Sequence, residues 1–211
     1  MIKVKVCGMC DPLNVKEIGE SKPDFMGFIF YPGSPRYLGE EPDLILYHNV
    51  PHSVKRIGVF VNEGNHRILD VSIRNGLDMI QLHGEESPVS CLQIKSAGLL
   101  VIKAFNIDNT FSFDNLRPFM LGCDYFLFDT KSEKQGGSGR KFNWGKLQEY
   151  SLDKPFFLSG GIGPEDAGAI KTLGNRGFFG VDINSRFEIT PGIKDPVRVS
   201  AFINEIRNTH I

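Results

Sequence analysis

Short apolar runs recur along the 211-residue chain, and this recurrence limits the fold more than any other feature. They are Val4–Cys7, Phe25–Phe30, Arg56–Val61, Asp78–Leu82, Leu100–Ala104, Asp124–Phe128, Pro155–Leu158 and Gly177–Ile183. Each is almost continuously apolar and rich in Val, Ile or Phe, the pattern of a strand buried on both faces of a parallel sheet. Segments with helical periodicity lie between most of them. Asn65–Asn75 carries Ile68, Leu69, Val71 and Ile73; Ser87–Ala97 carries Val89, Leu92 and Ile94. Pro164–Leu173 and Pro196–Asn208 repeat the pattern. Strands alternating with helices imply β-α units around a parallel sheet. Eight such units fit a closed barrel, because eight strands leave an interior that side chains just fill. The predicted fold is therefore α/β, a (β/α)8 (TIM) barrel, with residues 1–211 forming one compact domain. The second unit is the weakest, since its Pro- and Gly-rich connection, Tyr31–Pro51, looks helical only over Pro42–Tyr47. An open doubly wound sheet is the structural rival. Its Gly-rich phosphate loop after the first strand is not matched by Cys7-Gly8-Met9-Cys10.

Composition narrows the partners. Twenty-four Lys and Arg stand against 25 Asp and Glu, for a net charge of -1. That balance carries no basic footprint for nucleic acid or an anionic membrane. No apolar run is long enough to span a bilayer, and the N-terminus lacks the apolar core of a signal peptide. A cytoplasmic location is expected. The four cysteines are too sparse for a disulfide framework. Cys7 and Cys10 form a C-x-x-C, open to a redox reading or to half a zinc site, but no second ligand pair accompanies it. Cys91 and Cys123 read as small buried hydrophobes.

Barrel enzymes keep their chemistry at the C-terminal ends of the strands. At those ends lie Cys7, Arg36, His83, Asp129, Asp182, Asn184 and Ser185, with two glycine-rich stretches. In Ser159-Gly160-Gly161-Ile162-Gly163-Pro164, the paired glycines allow close approach of a ligand, and the helix opened by Pro164 turns free N–H groups toward the same spot, as a phosphate site requires. Gly136-Gly137-Ser138-Gly139 has the composition of a loop that closes over substrate. Asp129 follows the apolar run Tyr125–Phe128; a carboxyl at a buried strand end has a raised pKa if no cation meets it, which suits a general acid, although Lys131 could oppose the shift. Cys7 faces the same mouth, and as a base it needs a lowered pKa, yet no cation is visible nearby. His83 is a titrating group or a hydrogen-bond partner. Arg36, the only basic residue of its loop, is placed to meet an anionic group of a substrate. Trp144 is read as packing at the start of the sixth helix.

Together these stretches resemble the phosphoribosylanthranilate isomerase family over essentially the full length. The resemblance rests on Lys5-Val6-Cys7-Gly8, Gly27–Pro32 with Ser34–Tyr37, Gly58–Asn62, Gln81–Glu85, Phe128–Lys131, Gly136–Gly139, Ser159-Gly160-Gly161 and Val181-Asp182. It implies an Amadori rearrangement of a phosphosugar amine with Cys7 as general base, Asp129 as general acid and no metal or organic cofactor. It further implies that Arg36 holds the anthranilate end. Gly137, Ser138, Gly139, Gly160, Gly161, Asn184 and Ser185 would hold the phosphate, with His83 and Asp182 also in the substrate site. A small phosphosugar is the implied partner, in a monomer or homodimer. Three positions depart from the family pattern. Cys10 stands where Thr is common, Arg186 stands where a Ser-Ser-Gly run has Gly, and Asn143 replaces an acidic residue before Trp144. Another phosphosugar barrel enzyme is the nearest alternative. A histidine-pathway isomerase would carry Asp at position 7. Indole-glycerol-phosphate synthase would show several catalytic lysines, where only Lys103 and Lys131 are candidates. A thiol-disulfide protein using Cys7 and Cys10 is the alternative of another class.

Overall fold

The computed structural model of the chain describes residues 1–130 and 141–208. Gly137, Ser138, Gly139 and Lys131 lie outside the described residues. Eight parallel strands close into a barrel in chain order: β1 (Lys3–Cys7), β2 (Phe25–Ile29), β3 (Lys55–Phe60), β4 (Met79–Leu82), β5 (Leu100–Ile107), β6 (Tyr125–Thr130), β7 (Phe156–Leu158) and β8 (Phe178–Ile183). Closure is made by β1 against β8, with Lys5 level with Asp182. The (β/α)8 class expected from the sequence is the fold observed. Around the barrel run α1 (Pro12–Glu20), α2 (Ile45–His48), α3 (Asn65–Asn75), α4 (Pro88–Ser96), α5 (Ala167–Lys171) and α6 (Pro196–Arg207). Asp11, Ser87 and Asp195 cap α1, α4 and α6, each followed by a proline whose missing N–H costs the first turn nothing.

Five connections differ from expectation. The helix read over Pro42–Tyr47 begins later, at Ile45, because Asp43 Oδ1 accepts the Ile45 N–H at 2.9 Å and spends the preceding residues on a turn. The segments after β5 and β6 are 3-10 helices, Phe113–Phe119 and Trp144–Glu149; the first contains Pro118. Pro164 opens a 3-10 turn, Pro164–Asp166, that runs into the short α5. After β8 comes an unforeseen hairpin, β9 (Glu188–Thr190) with β10 (Ile193–Lys194).

Because strand side chains alternate, one set of positions fills the barrel and the other packs under the helices. Val6, Phe28, Ile80, Phe126, Phe156 and Val181 belong to the outer core, shared with Ile18, Ile94 and Ile203 of the helices. Inside, Phe25, Ile57, Met79, Ile102, Leu127 and Phe157 form an apolar floor. Lys5, Gln81 and Asp182 meet two residues further along their strands. Cys7, Ile29 and Val59 follow at the mouth. A polar layer thus separates the floor from the open end.

Candidate active site

One cavity occupies the C-terminal mouth. Cys7, Arg36, His83, Asp129, Gly160, Gly161, Asp182, Asn184 and Ser185 all line it, so every site residue expected from the sequence and lying among the described residues is brought together. Lys103 is not among the lining residues. Its ammonium is spent on Glu86 at 3.2 Å and on the carbonyls of Gly84 and Ala104.

A cation does lie beside Cys7, contrary to the local reading of the sequence. It is Lys5, two residues earlier on β1 and therefore on the same inner face. Fully buried, its Nζ donates to Gln81 Oε1 at 2.6 Å and to Asp182 Oδ2 at 3.0 Å. Burial alone would lower the Lys5 pKa, but the charges and hydrogen bonds of Asp182 and Cys7 together outweigh it, and the net direction is upward. Burial pushes the Cys7 thiol up; Lys5 pulls it down and Asp182 pushes it up again, so the net direction is upward rather than downward. Asp182 is likewise raised by burial against the pull of Lys5. Its Oδ1 is buried with no hydrogen-bond partner among the described residues, an acceptor left open at the cavity wall.

From Lys5 a relay runs to Asp129. An ammonium has only donors, so Gln81 must turn its Oε1 to Lys5 and its Nε2 to His83 Nδ1, 2.8 Å away. That N–H makes Nδ1 an acceptor and leaves the hydrogen on His83 Nε2, which stands 3.2 Å from Asp129 Oδ2. Asp129 Oδ1 accepts the Thr130 N–H at 2.7 Å. The Asp129 side chain is 25% exposed, so the strand end expected to be buried is half open there, with the Thr130 N–H and the His83 ring beside the carboxyl. Gly160, in a left-handed conformation (φ 88°), packs directly against it; a Cβ there would lie 2.7 Å from Asp129 Oδ1 and 2.5 Å from the Thr130 nitrogen.

Arg36 is not a free surface cation. Its Nε and Nη2 donate to Glu188 Oε1 and Oε2 at 2.7 and 2.6 Å. Glu188 also accepts from Lys194 Nζ at 2.6 Å and from the Gly192 N–H at 3.0 Å. Burial would raise the Glu188 carboxyl, but the hydrogen bonds from Arg36 and the charge of Lys194 hold it at about 2. Lys194 Nζ donates to Asn184 Oδ1 at 2.6 Å, so the carbonyl end of Asn184 is taken. The Cys10 thiol faces the carbonyls of Arg36 and Gly8 at 3.2 and 3.5 Å, and burial pushes it up to about 11. All four cysteines are free thiols. In the glycine loop, the Gly163 N–H is already given to Asp166 Oδ2 at 2.7 Å. Arg186 pairs with Glu165 at 2.8 Å on the surface. Lys5 and Gln81 were given no role by sequence reasoning, although Gln81 stands among the polar residues at the end of the fourth strand, and Glu188 and Lys194 were missed. The first two carried a usable signal, being polar residues in phase with Cys7 and His83 on buried strands.

The chain's sequence matches the family profile described as N-(5'phosphoribosyl)anthranilate (PRA) isomerase over residues 4–205. It is 43% identical to N-(5'-phosphoribosyl)anthranilate isomerase of Phocaeicola vulgatus, across 97% of each chain. The crystal structure of phosphoribosyl anthranilate isomerase from Thermotoga maritima superposes with a TM-score of 0.85 at 37% identity, covering 98% of this chain and 99% of that one. Another, 33% identical with a TM-score of 0.80 and covering 98% and 99%, was solved in complex with reduced 1-(o-carboxyphenylamino)-1-deoxyribulose 5-phosphate. Matched along nearly its whole length in both sequence and fold, this chain belongs to the N-(5'-phosphoribosyl)anthranilate isomerase family.

Proposed function

We propose that the chain converts N-(5-phosphoribosyl)anthranilate to 1-(o-carboxyphenylamino)-1-deoxyribulose 5-phosphate, an Amadori rearrangement of tryptophan biosynthesis. One observation carries this reading: a thiol, a carboxyl and an arginine line one cavity at the catalytic end of a barrel.

Asp129 gives a proton to the ribose ring oxygen as the C1–O bond breaks, and the substrate nitrogen pushes its lone pair toward C1, forming a Schiff base. In the free site Asp129 Oδ1 accepts the Thr130 N–H, and His83 Nε2 stands 3.2 Å from Oδ2. Cys7, as thiolate, then takes the proton from C2 of the sugar. The electrons of that bond form the C1–C2 double bond and return to nitrogen. The enolamine tautomerises to the ketone, with a proton added at C1. The substrate's own nitrogen supplies the electron push, so neither a metal nor an organic cofactor is needed. Arg36 meets the anthranilate carboxylate. Gly160, Gly161, Asn184 and Ser185, with Gly137, Ser138 and Gly139, hold the phosphate through backbone N–H groups and small polar side chains. Asp182, with its open Oδ1, accepts a sugar hydroxyl, and His83 keeps Asp129 aimed at the ring oxygen.

The same reading places the enzyme in the cytoplasm as one compact domain, monomeric or homodimeric. No helix among the described residues is long and apolar enough to cross a membrane. The test is turnover: phosphoribosylanthranilate made in situ should lose its fluorescence when the protein is added. A folded protein that leaves the fluorescence unchanged would refute the assignment.

A further inference from the structure

The hairpin after β8 holds two charged side chains that the isomerase chemistry does not use. Glu188 opens it and Lys194 ends it. Lys194 is fully buried, and Glu188 is 6% exposed at its side chain. Lys194 is fixed at its backbone as well, exchanging two hydrogen bonds of 2.8 Å with the Asn14 side chain.

The geometry at Arg36 is selective. A guanidinium has five N–H groups, and Glu188 takes the side edge, Nε and Nη2. The end edge, one hydrogen on Nη1 beside one on Nη2, is the other place where two parallel N–H groups match a carboxylate. Arg36 lines the cavity, so that edge is the one left for a ligand.

The charges make the second point. Arg36 with Glu188 is already a neutral, well-bonded pair. Burying a third ion, Lys194, costs desolvation and adds nothing such a pair lacks. It leaves the cluster with an excess positive charge beside an open cavity. The other ionisable groups facing the cluster are the Cys7 and Cys10 thiols. Without Lys194, an incoming carboxylate would meet a guanidinium whose charge Glu188 had cancelled.

We infer that Glu188 and Lys194 are positioning residues for substrate recognition: Glu188 fixes the direction of Arg36, and Lys194 restores the net charge with which Arg36 grips the carboxylate on the anthranilate ring. Selection for the carboxylated arylamine over an uncharged one is thereby built into the hairpin. The inference rests on the isomerase reading given above.

The test compares two ligands. One is reduced 1-(o-carboxyphenylamino)-1-deoxyribulose 5-phosphate; the other is its counterpart made from aniline, without the carboxylate. Binding constants are measured for the wild type, Lys194→Met and Lys194→Arg. The wild type is expected to prefer the carboxylated ligand by about 100-fold, as a buried charge pair allows. Lys194→Met should cut that preference about tenfold or more, and Lys194→Arg should keep most of it. Turnover of the carboxylated substrate by Lys194→Met should show a raised KM and a smaller change in kcat. A loss of mere structural support would weaken both ligands alike, so an unchanged preference in Lys194→Met overturns the inference. If Lys194→Met does not fold, Glu188→Gln, which keeps the side-chain shape, is read by the same ratio, and an unchanged ratio overturns the inference equally. A wild type that binds neither ligand and turns nothing over refutes the isomerase reading itself, a different outcome from active wild type with an unchanged preference.

Discussion

At Cys7 the competing effects can be ordered. Burial raises the thiol pKa above its ordinary 9.0, and Lys5, although close, does not reverse the shift. If the thiolate is the base, kcat/KM follows its fraction in the free enzyme and should keep rising with pH beyond 9.0. Removing the Lys5 ammonium removes the opposing pull. Lys5→Met should therefore move this rise further to the alkaline side and lower the rate at neutral pH. A pH–rate profile of both proteins measures this, and a wild-type plateau reached below pH 8 would show that Cys7 does not act from this buried state. The place of Cys7, Asp129, Arg36 and His83 at the mouth was legible in the sequence because each lies at or after the C-terminal end of a strand, where barrel chemistry sits. Their partners were not. Lys194 lies 158 residues after Arg36 in a stretch with no periodic pattern, and only the closed barrel puts the two on one carboxylate.

Among the elements, β2 shows how tightly the strands set the site. Gly27 lies level with Cys7, and a Cβ there would stand 2.8 Å from Cys7 Sγ and 3.1 Å from Lys5 Cε. Gly27→Ala must displace the thiol, the ammonium or the strand. Overpacking of this kind costs about 1–3 kcal/mol. Thermal melting should record that loss, and kcat should fall at least about tenfold beyond it, since small displacements of a catalytic group are expensive. Wild-type kcat in a stably folded Gly27→Ala would contradict this placement of Cys7. The strands were readable because burial on both faces makes them continuously apolar, and α3 was readable to its ends from its periodicity. The hairpin was not, since strands of three and two residues leave no pattern. The segment after β5 escaped for another reason: Pro118 stands inside its short 3-10 helix, so no helical repeat could build up.

For the whole molecule, the floor of the barrel carries stability and the layers above it carry chemistry. Phe157 is fully buried in that floor, with ring neighbours Phe25 at 5.5 Å and Phe179 at 5.2 Å. Phe157→Ala should cost about 3–5 kcal/mol in urea unfolding, as a large cavity in a closed core does. Activity per folded molecule should fall far less, because Lys5, Gln81 and Asp182 lie between the floor and the mouth. A loss below about 1 kcal/mol would mean that the interior collapses around the gap, and the floor would not then be the support described.

The acid–base pair is tested most directly by single turnover of phosphoribosylanthranilate with the wild type, Cys7→Ser and Asp129→Asn, each first shown to be folded and to bind the reduced product. With Cys7 as base and Asp129 as acid, both variants should bind and yet turn over about 100- to 10,000-fold more slowly than the wild type, the usual worth of a positioned proton donor or acceptor. A variant that binds the ligand and keeps the wild-type rate would remove that residue from the chemistry, and with it the proton path drawn through this mouth.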